Sequence, residues 1–153
     1  MHVVRRFALL ILGLLGMPTA DAIADGGTRM TVTGEMMDTW CYLSGVMGGA
    51  EAVVGSSHHT CALWCAAGGI PVGLLTDDGT VYFVLQMEGS PDVVGSDTLL
   101  DVQSDRLVAD GIVYERDGNN FIIVEKVVAN EGITVLNHTD YGPVPPFAIP
   151  ELN

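Results

Sequence analysis

Pro71-Val72-Gly73-Leu74-Leu75-Thr76-Asp77-Asp78-Gly79-Thr80-Val81-Tyr82-Phe83-Val84-Leu85-Gln86-Met87 is the stretch that decides the fold. Two apolar runs, Pro71 to Thr76 and Thr80 to Met87, flank Asp77-Asp78-Gly79. An Asp-Gly pair between two such runs supplies the backbone conformations of a tight β-turn, so the stretch predicts a hairpin. Val81 to Leu85 is dense in β-branched and aromatic residues, which pack well on a pleated surface, and it is expected near the centre of a sheet.

Downstream the pattern repeats. Arg106 to Glu115 and Asn120 to Val128 read as a second hairpin across Asp117-Gly118-Asn119. Between the hairpins, Glu88 to Ser96 is broken by Gly89, Pro91 and Gly95 and reads as loop. Asp97 to Gln103 carries one or two helical turns, and Gly132 to Leu136 is a last short extended piece. Upstream, Met30 to Cys41 alternates Val32, Gly34 and Met36 with Thr31, Thr33 and Glu35, a strand period. Leu43 to Ser57 is Gly-rich and reads as loop. Ser57 is placed to cap a short helix over His58 to Ala67, which Gly68-Gly69 ends and Pro71 keeps from continuing.

Five strands with a helical connection between the third and fourth match the order of an OB-type barrel. The expected fold is therefore mainly β, a small five-stranded OB-like barrel with a short Cys/His-bearing helix inserted between strands 1 and 2. Other small sandwiches or half-barrels share that strand count.

The inserted segment concentrates the chemistry. His58-His59-Thr60-Cys61-Ala62-Leu63-Trp64-Cys65 holds two of the three cysteines and two of the four histidines. At about 100° per residue, Cys61 falls roughly −60° and Cys65 roughly −20° from His58, one stripe of the helix. His59 lies roughly 160° from Cys61 and reads as a solvent-facing or capping residue. Cys41 brings a third sulfur from the end of the first strand. Thiolate and imidazole suit Cu(I) and Zn, so Cys41, His58, Cys61 and Cys65 form the candidate metal set, with copper or zinc as the metal. Met36, Met37 and Met47 are nearby thioethers.

Two other readings stand beside that one. A disulfide from Cys41 to Cys61 or Cys65 would pin the Gly-rich loop. Closing roughly twenty residues is worth on the order of 3 kcal/mol. Alternatively, Cys61 near a helix N-terminus, with His58 one turn before it, suits thiol–disulfide chemistry. The spacing is C-x-x-x-C, and no C-x-x-C, Ser-His-Asp arrangement, P-loop or dinucleotide fingerprint is present, which favours binding over catalysis. Trp40 and Trp64 are expected to roof the core beneath the loop. His138 reads as a surface histidine, and Asp77, Asp78, Asp117 and Asn119 as turn residues.

The termini bound the domain. Arg5 and Arg6 precede an apolar run from Phe7 to Leu15, and Ala20, Ala22 and Ala24 supply a small-residue exit. This is the pattern of a cleaved signal peptide over residues 1–24. The run is too short to stay as a membrane anchor, which needs about 20 residues. Residues 25–136 form the single domain. Residues 137–153, with Pro143, Pro145, Pro146 and Pro150, read as an extended Pro-rich tail. A periplasmic or secreted location follows, and any partner is expected to be a periplasmic protein.

The whole chain has six basic and nineteen acidic residues, a net charge of −13. A cut after Ala22 leaves four basic residues against eighteen acids, or −14. That balance excludes a nucleic-acid binder, which needs cations to neutralise phosphates. An odd cysteine count in an exported protein leaves one thiol beyond any single pair.

Gly34-Glu35-x-x-Asp38-x-x-Cys41, His58-x-x-Cys61-x-x-x-Cys65, Gly69-x-Pro71-x-Gly73 and Asp78-Gly79-x-x-Tyr82 together resemble a group of small secreted bacterial proteins of OB-like topology. The resemblance spans about Thr31 to Val128. It implies that Cys41, His58, Cys61 and Cys65 belong to one site, and it implies no activity.

Overall fold

The computed structural model describes residues 26–90 and 97–138. The expected signal peptide at 1–24, part of the loop before Asp97, and the tail from residue 139 lie outside them. Five strands, β1 (Thr28–Asp38), β2 (Val72–Leu75), β3 (Val81–Gln86), β4 (Arg106–Arg116) and β5 (Asn119–Asn130), close into one barrel in the order β1-β2-β3-β5-β4. Helices α1 (Thr39–Ser44) and α2 (Gly55–Ala67), with a 3-10 turn at Ala50–Val53, fill the β1–β2 connection. A single turn, α3 (Asp97–Leu100), precedes β4. The OB-like expectation holds, with its short helix between strands 1 and 2.

Strand β1 closes the barrel by serving two neighbours. Its first part pairs β4 through Thr28–Glu35, and its last part pairs β2 through Glu35–Asp38. Gly34 sits where the partners change. A Cβ there would lie 2.5 Å from the Leu75 carbonyl oxygen, so only glycine allows the strands so close. The other closure is the parallel pair β3–β5, where Phe83 and Phe121 stand in register with ring centroids 5.6 Å apart. Both hairpins form as expected. In the second, Asp117 and Gly118 both have positive φ, the turn that matches strand twist.

Burial follows the strand period. In β4, Leu107, Ala109 and Val113 point inward to join Val32, Met36, Leu74, Val84, Ile122 and Val124 in the core. At the end of β1 the alternation stops and Glu35 to Asp38 are all buried. There one face of the strand lies on the barrel core, and α2 also packs against β1. Among the described residues, no helix is long and apolar enough to cross a membrane.

Three expectations need correction. The first strand ends at Asp38, not Cys41, because the Asp38 carboxylate accepts from the Trp40 and Cys41 N–H groups and starts α1. The Gly-rich stretch from Leu43 to Ser57 is partly helical, and α2 begins at Gly55 without Ser57 as its cap. Gly132 to Leu136 forms no strand. Its first residue instead accepts from the Arg106 N–H, which leads the chain back over the barrel edge toward α2.

Candidate metal centre

The helix α2 is held at its N-terminus from outside. The first N–H groups of a helix have no partner within it. Here the Gly55 N–H donates to Glu35 Oε1, the Ser56 N–H to the Val135 carbonyl and the Ser57 N–H to Asn137 Oδ1. Gly55 takes φ +67°, and a Cβ there would lie 2.3 Å from the Val135 carbonyl oxygen, so glycine is required where the two segments meet. His138, expected as a surface histidine, bonds the Ser56 hydroxyl through its backbone N–H and Nδ1. At the other end, Gly68, Gly69 and Ile70 N–H groups return to the carbonyls of Trp64, Ala66 and Cys65, as the Gly-Gly stop predicts.

Which face of α2 meets the barrel follows from side-chain size. Gly55, His58, Ala62 and Ala66 form the buried row, and Ala66 joins the core cluster. Cys61 and Cys65 flank that row, half-buried. Cys41 comes from α1 and is buried.

The three sulfurs converge. One ligand atom from each of Asp38, Cys41, Cys61 and Cys65 lies within 4.8 Å of the other three. Four ligands about 2.3 Å from a common centre stand roughly 3.8 Å apart in a tetrahedron, so small side-chain rotations would seat one ion. All three cysteines are free thiols in this arrangement. The cluster is compatible with metal binding.

His58 is not one of the four. It is buried in the row that faces the barrel, and its Nε2 stands 3.8 Å from Asp38 Oδ2. Asp38, read from the sequence only as part of a motif, takes the fourth place. Its one local signal is position: an Asp that closes a strand is a natural helix cap, and one of its carboxylate oxygens lies with the three thiols. Asp38 Oδ2 and His58 Nε2 are both buried without a hydrogen-bond partner. A buried polar atom left unpaired is costly, and a bound cation would satisfy the carboxylate oxygen.

The electrostatics set the Asp38 carboxylate apart from the thiols. Burial pushes the Asp38 carboxyl up, but the Cys65 thiol, the Cys41 N–H and thiol and the Trp40 N–H outweigh it and hold it below the usual carboxylate range. Burial, then the neighbouring Asp38 charge, pushes the Cys41 thiol up to about 12. The neighbouring Asp38 carboxylate and then burial raise the Cys65 thiol as well. Burial lowers His58 against the pull of Asp38, which favours neutral imidazole.

The remaining sequence candidates separate. His59 Nδ1 bonds the Gln103 carbonyl at 3.0 Å and anchors α2 to the turn before β4. Met36 belongs to the barrel core, and Met47 is exposed. Trp40 and Trp64 do not roof the core: they are 59% and 76% exposed. A chain that pairs small residues against the barrel turns its large aromatics outward.

Glu35 offers a test of the helix anchor. Burial raises its carboxyl above the ordinary value of 4.5, opposed by the Gly55 N–H and Arg106. The stability contributed by the neutral form is full below that ordinary value and is lost as pH rises through the higher folded value. Glu35→Gln keeps an acceptor for Gly55 and removes the ionisation. Thermal unfolding followed between about pH 4 and about pH 8 should show the variant holding its midpoint while the parent protein declines. A variant that declines in parallel would exclude Glu35 as the source.

No protein-family model, curated protein or solved structure matches this chain.

Proposed function

We propose that this protein is an exported binder of a single thiophilic metal ion, held by Cys41, Cys61, Cys65 and Asp38. One observation carries the reading: four ligand atoms from two helices and a strand end lie within 4.8 Å of one another. The donor set bears on the metal. Three thiolates alone satisfy Cu(I), the metal an exported protein is expected to meet. A carboxylate oxygen among them suits a divalent borderline ion, and Zn(II) takes sulfur and carboxylate ligands together. A divalent ion also neutralises more of a buried set of thiolates and carboxylate. Zn(II) is the better-supported occupant, with Cu(I) on the three sulfurs as the second. His58 then orients Asp38 without binding the metal itself.

The protein is purified anaerobically, its reactive thiols are counted and its bound metal is measured. Three thiols in the metal-stripped chain and one Zn(II) or Cu(I) per chain on reconstitution, with proton release, are expected. A protein that reconstitutes with neither ion sinks the reading. One free thiol and a disulfide that persists in the native protein would move the assignment to a structural crosslink. Rapid reversible exchange with a dithiol partner would move it to redox chemistry.

A further inference from the structure

Charge is distributed unevenly along this chain. Of nineteen acidic and six basic residues, a single one, Glu51, falls between Thr39 and Thr76. That segment builds α1, the 3-10 turn, α2 and β2. It also carries five large apolar side chains that stand in solvent: Trp40, Leu43, Val46, Met47 and Trp64, each more than half exposed. Five exposed large apolar side chains within one nearly uncharged segment of an otherwise acidic protein point to an interaction surface, since single exposed apolar residues are ordinary.

We propose that this face is the contact between two copies of the chain. Two arguments select a second copy as the occupant. The first is charge. Molecules of net charge −13 repel one another, and the β1–β2 connection is where two of them can meet with almost no like charge at the contact. The second is shape. A two-fold contact uses the same patch on both partners, so the patch must carry both a projection and a recess. Trp64 projects from α2, 76% exposed. A groove of about 370 Å³ lies between α1 and the start of β2, lined by Thr39, Trp40, Leu43, Ser44, Ile70 and Pro71. Each copy's Trp64 would enter the other's groove, and tryptophan is enriched among the residues that anchor protein contacts. Such a contact lies beside the half-buried Cys61 and Cys65 and would shield them from solvent.

Sedimentation velocity of the purified protein, with a chelator present, tests this over roughly a hundredfold range of concentration. A monomer–dimer equilibrium is expected. Added salt should strengthen it, because salt screens the net repulsion while leaving apolar contacts intact. Trp64→Glu and Trp40→Glu should each abolish the dimer while α2 helicity persists by circular dichroism. Val128→Glu, which adds the same charge at an exposed apolar site on β5, should leave dimerisation intact. A monomer at every concentration and salt overturns the proposal, as does a dimer that survives both tryptophan substitutions. Association seen only without chelator is metal bridging and also overturns it. A monomer that dimerises only when residues 139–153 are deleted shows that segment to be the occupant instead.

Discussion

Asp38→Asn is expected to weaken Zn(II) binding by about 100-fold or more while changing Cu(I) binding less than about tenfold. Substitutions in groups that merely orient metal ligands already cost roughly 10–100-fold, and removing a ligand costs at least the upper end of that range. Asparagine keeps an oxygen that accepts from the Trp40 and Cys41 N–H groups, so α1 and the position of Cys41 are retained. What disappears is the anionic oxygen beside the thiols. Zn(II) loses a ligand suited to it, whereas Cu(I) keeps its three sulfurs. Competition with a chromophoric chelator for each ion gives the two affinities. Equal losses for both would show that Asp38 shapes the thiol cluster without selecting the metal, and no loss for either would remove Asp38 from the site.

The same variant carries a pH signature. The folded protein holds Asp38 below its ordinary value of 3.8, so the ionised carboxylate contributes stability above that value, lost as pH falls through the lower folded value. The metal-free variant should be less stable than the parent at neutral pH by on the order of 1 kcal/mol, the difference between hydrogen bonds to a charged and to a neutral acceptor. That gap should close in acid. A gap independent of pH would point to altered packing.

Arg106 to Glu115 is readable as a strand because its burial alternates over enough residues to leave a period in the sequence, and Val81 to Leu85 because β-branched and aromatic residues crowd it beside an Asp-Gly turn. Helix α1 was not, because six residues from Thr39 to Ser44 leave no period and their start depends on one carboxylate folding back. The thiols were readable as one site, since Cys61 and Cys65 share a stripe of α2 and Cys41 has to come from the preceding element. The fourth member was misassigned for a specific reason. Helical angle puts His58 beside the cysteines, but the width of the stripe hides a division that only packing makes. Ala62 and Ala66 are small enough to press against the barrel, and they carry His58 in with them, leaving Cys61 and Cys65 at the flank. Trp40 and Trp64 went wrong by the same logic, as large apolar residues next to buried ones that face the other way. The external capping of α2 left no local trace, because Glu35 and Asn137 are distant from it in sequence.

Asn137→Ala should destabilise the protein by about 2–4 kcal/mol, an unusual cost for a half-buried residue near the end of the described chain. The side chain makes three hydrogen bonds, accepting from the Ser57 N–H and donating to the Glu51 and Val54 carbonyls. Each is worth about 0.5–1.5 kcal/mol net, and alanine leaves the helix N-terminus short of a partner. Because Glu51 and Val54 belong to the connection between α1 and α2, the loss should loosen the spacing between Cys41 and the two cysteines of α2. The thermal midpoint is expected to fall by on the order of 10 °C, and Zn(II) affinity should fall with it although no ligand is touched. Hydrogen exchange at the Ser56 and Ser57 amides separates local from global effects: both should exchange faster while the β4–β5 amides remain protected. Added metal should restore part of the lost midpoint, since an ion joining α1 to α2 does from one side what Asn137 does from the other. If the midpoint holds and those amides stay protected, the Val135–His138 segment merely lies against α2, and the geometry of the thiol cluster is set by the barrel alone.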